Sequence, residues 1–230
     1  MNKAMRKTLI IIIMTWFAMP MFAQTIESVD VSKALNGQFS TMAHDYTIVG
    51  NVVNGQKEGT WMEYFNAPEN LPKRVVNYEK GKKNGLYMEI DKTGSLTKKA
   101  EYKADVLDGQ VSEWFRGGRL SKLNTYKNGQ LDGEQILCYE KGGPLEKSNY
   151  KEGKRNGVTT WYYENGIKKM TIEYKNGVFE GKQETFYPDG SLKTEAMYKD
   201  GKLQGKMKTY AEKAATKQEE KKVDERMKRN

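Results

Sequence analysis

The stretch whose reading decides the architecture is Tyr150-Lys151-Glu152-Gly153-Lys154-Arg155-Asn156-Gly157, continuing into Val158-Thr159-Thr160-Trp161-Tyr162-Tyr163-Glu164-Asn165-Gly166. Val158 to Tyr163 is rich in β-branched and aromatic residues, Glu164-Asn165-Gly166 is a turn, and Ile167 to Lys175 alternates apolar and polar side chains through Met170, Ile172 and Tyr174. Asn176-Gly177 supplies the next turn, because Asn tolerates and Gly prefers the positive dihedrals of a tight hairpin. The result reads as two strands of about six to nine residues, a common strand length.

Outward from this unit the pattern repeats. Tyrosines recur at steps of 24 residues as Tyr78, Tyr102, Tyr126, Tyr150, Tyr174 and Tyr198. Each is followed after seven residues by a glycine, Gly85, Gly109, Gly133, Gly157, Gly181 and Gly205. Three residue types in one register, the third being Gly94, Gly118, Gly142, Gly166 and Gly190, mark an array of duplicated units. Turn signals this frequent would break any helix before it could bury a stripe, and hairpins with short connections pair with their sequence neighbours. The expected fold is all-β, an elongated antiparallel meander of stacked β-hairpin repeats. The glycine seven residues after each tyrosine is expected at a bulge or a close backbone approach.

The array is expected over residues 51–210. Ahead of it, the segment 24–50 should supply an opening or capping strand from Tyr46 to Val53, and an insertion from Asn66 to Lys73 places Pro68 and Pro72 in a loop. Behind it, Ala211 to Asn230 lacks glycine and aromatic residues and reads as a charged tail, helical or frayed. Residues 1–23 read as an export signal helix: Lys3, Arg6 and Lys7 precede an apolar run reaching Phe22, and Ala23-Gln24 offers a cleavage point. A retained membrane anchor is the alternative, although the run falls short of the roughly 20 residues a spanning helix needs. The expected location is the periplasm, the outer envelope or the medium.

Only 37% of the residues are hydrophobic, and mean hydropathy is -0.84, so a large layered core is excluded. Tyrosine outnumbers Phe and Trp, which suits a thin sheet buried by rings with polar tips. The net charge of +9 falls to +6 without Lys3, Arg6 and Lys7, and along the array both signs alternate, which disfavours nucleic acid as a partner. Cys138 is the only cysteine, so no intrachain disulfide forms. Its repeat position is held elsewhere by Tyr64, Ile90, Trp114, Tyr162, Phe186 and Tyr210, which marks it as core-facing.

The motif Tyr-x-x-Gly-x-x-x-Gly with a following aromatic pair and x-Gly resembles the bacterial variant of the MORN repeat, most clearly at Tyr150–Gly166 and at Tyr174–Gly181 with Phe186–Gly190. The resemblance covers about residues 50–210, with departures at Val52, Asp91 and Asp105. Chains of this kind are similar to the YwqK-type family, whose members are labelled antitoxin components. The resemblance implies one β-hairpin per repeat, binding to proteins or membrane surfaces, and no shared catalytic residues.

The residues themselves offer no catalytic constellation. His44 is the sole histidine and lies outside the repeats, no serine-centred or phosphate-cradling motif appears, and one His with one Cys falls short of a metal ligand set. No enzyme activity, cofactor or metal is expected. The aromatic doublets place neighbouring rings on opposite strand faces. One row, Phe65, Phe115, Tyr139, Tyr163 and Tyr187, is either a stacking ladder for a protein edge or a glycan, or a second row of rings that stabilises the sheet. The expected role is a scaffold binding another protein at the cell envelope. Antitoxin-like neutralisation of a toxic protein and adhesion to a membrane surface or glycan are the alternatives.

Overall fold

A computed structural model of the chain describes residues 25–43 and 45–212. Residues 1–24, on which the expected export signal falls, His44, and residues 213–230, most of the expected charged tail, lie outside the described residues. Among the described residues all helix-or-strand structure is β, in one antiparallel sheet. Its first strands are β1 (Gly37–Ala43), β2 (Tyr46–Val53), β3 (Gln56–Phe65), β4 (Pro72–Glu79), β5 (Lys82–Ile90) and β6 (Leu96–Lys103). Next come β7 (Val106–Leu107), β8 (Gly109–Trp114), β9 (Leu120–Lys127), β10 (Gln130–Cys138) and β11 (Pro144–Lys151). The sheet closes its order with β12 (Lys154–Arg155), β13 (Gly157–Tyr162), β14 (Lys168–Lys175), β15 (Val178–Phe186), β16 (Leu192–Lys199) and β17 (Lys202–Thr209). Each strand pairs with its neighbours in sequence, β6 also reaching β8 past the two-residue β7 and β11 reaching β13 past β12, so the sheet is the expected meander, opened by β1 one strand earlier than the sequence suggests.

The recurrent glycines sit at bulges. Between Ile172 and Tyr174 of β14 the register with β15 slips, and Gly181 lies in the slipped stretch at φ +107° while pairing with Tyr198 on its other side. The same irregularity splits β7 from β8 and β12 from β13. The turn glycines lace one unit to the next: Gly153 donates its N–H to Leu131 O at 2.8 Å, Gly177 to Arg155 O at 2.7 Å and Gly201 to Phe179 O at 3.0 Å. At the departure noted in the sequence, Asp105 takes over this role at φ +70°, donating to Lys83 O at 2.8 Å. Carboxylates secure the same turns, since Asp132 and Glu180 accept the N–H groups of Glu152 and Asp200 at 3.2 and 2.8 Å.

Two expectations need correction. Pro72 is not in the loop; it opens β4, where a first strand residue needs no ladder N–H. Apart from Tyr64-Phe65, which lies within β3, the doublets do not alternate within a strand, because the second ring begins the turn. Tyr163, for example, follows the end of β13, donates its N–H to Ile167 O and accepts from Gly166 N. A register shift at Trp161/Tyr162 accompanies it.

The core is a single row across one face, here called the front. Trp61, Val76, Tyr87, Ala100 and Val111 are buried in successive long strands, and segment 25–36 folds over the start of the row. Ile26, Val29 and Val31 of that segment pack with Ile48, Val52 and Trp61. Gly50 leaves room for Trp61, because a Cβ there would stand 2.1 Å from the indole ring.

Burial under this cap holds the phenols of Tyr78, Tyr87 and Tyr102 above the ordinary tyrosine range. A raised folded pKa contributes stability that is complete below the unfolded pKa of about 10 and is lost as pH rises toward the folded value. Lys57, pushed down by burial, acts in the opposite sense, but its window lies below its unfolded pKa of about 10.4 and so largely below that of the tyrosines. Spectrophotometric titration should therefore show Tyr78 and Tyr87 ionising only with unfolding above about pH 10, and Tyr102 ionising later than an exposed tyrosine; smooth ionisation of every tyrosine with the fold intact would contradict their burial.

Candidate interaction face

Beyond the cap the front row continues but changes chemistry. In register with the apolar residues stand Asn124, Gln135, Ser148 and Thr159, all buried, followed by Ile172, Gln183 and Ala196. Burying polar groups without partners is costly, so cross-strand bonds carry the row through its polar part. Gln135 Nε2 donates to Asn124 Oδ1 at 2.8 Å, and Gln135 Oε1 in turn accepts from Ser148 Oγ at 3.5 Å. Thr159 Oγ1 is buried without a hydrogen-bond partner.

The tyrosines of the 24-residue period form the adjoining front row, alternating with residues of the following strands. Within it Arg155 is the centre of a polar cluster. Its Nε donates to Tyr150 OH at 3.0 Å, its Nη1 to Tyr174 OH at 3.5 Å, and its Nη2 to the Glu146 carboxylate, while the guanidinium lies 5.5 Å from the Trp161 ring. Arg155 occupies the repeat position that Lys57 holds under the cap. Lys57 Nζ donates to the carbonyls of Ile26 and Glu27 and lies between Trp61 and Tyr78, so one position serves both as a peptide clamp and as a cluster centre.

Further along, Tyr174, Phe179 and Tyr198 stack edge to face at 5.0 and 5.4 Å, a geometry favoured by ring quadrupoles. Nothing among the described residues covers this end, where Leu203 is 43% and Met207 44% exposed. A third front row alternates in charge, Glu63, Arg74, Glu89, Lys98, Glu113 and Lys122, each opposite the next across the strands. At its covered end Glu63 is fully buried, bonded to Lys73 at 2.7 Å and Arg74 at 3.1 Å. Toward its open end opposite charges face one another as exposed pairs do, a weak stabiliser but a patterned surface.

The ladder foreseen in the sequence is differently placed. Phe65 is buried at 7% exposure, and Phe115, Tyr139, Tyr163 and Tyr187 are half-buried. The three tyrosines each donate to a backbone carbonyl 23 residues on: Tyr139 to Tyr162 O at 2.7 Å, Tyr163 to Phe186 O at 2.8 Å, Tyr187 to Tyr210 O at 3.0 Å. They lace the hairpin ends on one side of the sheet as the turn glycines do on the other. Cys138 is half-buried and burial pushes its thiol up, which disfavours the nucleophilic thiolate.

Two consecutive units match a known family, the MORN repeat variant, over residues 155–176 and 179–200. Residues 155–200 thus hold two units similar to MORN repeats. No curated protein matches the chain. In these MORN units each matched stretch runs from the position of Arg155 or Phe179 through the next tyrosine to its turn, so the match spans the bulge glycine, the aromatic pair and the tyrosine strand. Among the described residues no group of three His, Cys, Asp or Glu side chains could hold a metal ion, and no helix is long and apolar enough to cross a membrane.

What sequence reasoning missed is the buried row two residues before each tyrosine, Val76, Ala100, Asn124, Ser148, Ile172 and Ala196. Its period was visible, but its mixed polarity hid it. Glu63 and Lys57 gave no signal at all, because their role depends on segment 25–36 folding back.

Proposed function

We propose that this chain is a non-enzymatic repeat scaffold, exported to the bacterial envelope, that binds another protein along the front face of its last MORN units. The observation carrying this reading is the contrast along one continuous face. Its first half is occupied by the chain's own segment 25–36, held through Lys57, Glu63 and Arg74, whereas its second half presents the Tyr174-Phe179-Tyr198 stack with Leu203 and Met207 uncovered by any described residue. Aromatic and aliphatic residues in a patch ringed by lysine and glutamate have the composition of a protein-binding surface.

A photo-crosslinking residue at Leu203, on the front, should capture one reproducible protein from an envelope fraction, and the same residue at Lys182, on the back, should not. Equal capture from both faces, or from neither, removes the reading. Export is tested separately by sequencing the mature N-terminus, where a start at Gln24 supports it and a start at Met1 in a soluble cytoplasmic fraction ends it.

A further inference from the structure

We propose that the protein forms a two-fold dimer by antiparallel pairing of β1 with the β1 of a second copy. An open sheet has two end strands, and unpaired N–H and C=O groups make each a template for another strand unless it is blunted. The two ends of this sheet differ. β17 carries Lys202, Lys206 and Lys208, and two-fold pairing about Gly205 would set Lys202 opposite Lys208 of the second copy. Like charges directly opposite are destabilising, so this end is protected.

β1 has no such protection. Its sequence Gly-Gln-Phe-Ser-Thr-Met-Ala contains no charge and no proline, all seven residues pair with β2 on the inner side, and no described residue pairs with the outer side. It is also an incomplete unit. Gly37, at φ +119°, faces Val52 as Gly133, at φ +121°, faces Tyr150, so β1 stands where internal strands such as β10 are flanked on both sides.

Seven residues centred on Ser40 suit a two-fold axis. Gly37 meets Ala43, Gln38 meets Met42 and Phe39 meets Thr41, and each pair keeps the same face because the offset is even. Phe39 packs on Trp61 at 5.5 Å, so the front row of one copy runs into that of the other, and Met42, 77% exposed in the single chain, gains cover on the back. Pairing β1 with β17 instead would give the lysines no acidic partner and would grow without closure.

Sedimentation of the full chain should give twice the monomer mass. Ser40 is exposed, so Ser40→Glu should leave the monomer folded, with an unchanged far-UV circular-dichroism spectrum, while raising the dimer dissociation constant roughly tenfold or more, by setting two carboxylates against each other. Lys206→Glu should leave the dimer intact. In a Cys138→Ser background, Ser40→Cys should give a disulfide-linked dimer with an added oxidant, since directly opposed antiparallel residues lie about 4.5–5.5 Å apart. A wild-type chain sedimenting as a monomer at its solubility limit overturns the proposal. So does a dimer that survives Ser40→Glu, or one that Lys206→Glu dissociates.

Discussion

Glu63→Ala is expected to lower the unfolding free energy by about 3–5 kcal/mol, the scale found when one partner of a buried ion pair is removed. The Glu63 side chain is fully inaccessible, and its two oxygens answer Lys73 at 2.7 Å, Arg74 at 3.1 Å and the N–H of Ile26 at 3.4 Å. Those cations are themselves largely enclosed, at 21% and 16% side-chain exposure, so removing the acid leaves two poorly solvated charges and a volume to fill. The loss should be local as well as global. Segment 25–36 is tied down through Ile26 and Glu27, and its release would speed tryptic cleavage at the exposed Lys33. Urea unfolding and a proteolysis time course check both parts; a loss below about 1 kcal/mol with unchanged cleavage would show that the cap does not depend on this carboxylate.

The second large effect separates backbone strain from crowding. Gly181 and Gly157 have nearly the same φ, +107° and +102°, so alanine at either should cost about 1–3 kcal/mol in strain. Their surroundings differ. A Cβ at Gly181 would stand 2.1 Å from Glu173 Oε2 and 3.2 Å from Glu173 Cβ, whereas at Gly157 the nearest atom is Asn149 Cβ at 3.9 Å. Gly181→Ala should therefore be the worse of the two by about 1 kcal/mol, a modest overpacking cost. Adding Glu173→Ala should recover that difference and leave the strain. Equal losses at the two sites, measured by urea unfolding, would mean that the Glu173 carboxylate swings aside freely.

Much of this fold is legible in the chain because hairpin signals are local. Asn176-Gly177 demands positive dihedrals wherever it stands, and the alternation through Met170, Ile172 and Tyr174 specifies a strand with two faces. The bulge glycines could be foreseen for the same reason. The aromatic doublets misled because alternation holds only inside a strand. At Trp161/Tyr162 the register slips, Tyr163 enters the turn, and its hydroxyl reaches a carbonyl of the next unit. No local pattern announces a bond to a residue 23 positions away.

The candidate face was less legible than the fold. The tyrosine period pointed to it, yet the residues that shape it do so through partners remote in sequence, such as Arg155 with Tyr174 or Lys57 with Ile26. Arg155 among scattered lysines looks like one more surface charge until cross-strand register sets it between two phenols and Glu146.

A 24-residue recurrence of tyrosine, glycine and turn dipeptides is enough to dictate hairpins stacked in order along one axis, since each instruction acts over a few residues and short connections leave only neighbours to pair. Which part of that sheet is closed and which is open is a matter of long-range contact. Segment 25–36 returns to bury Trp61 because Ile26 meets Lys57 and Glu63 there, while the last units, with Arg155 and Thr159 at the corresponding positions, have no described segment over them.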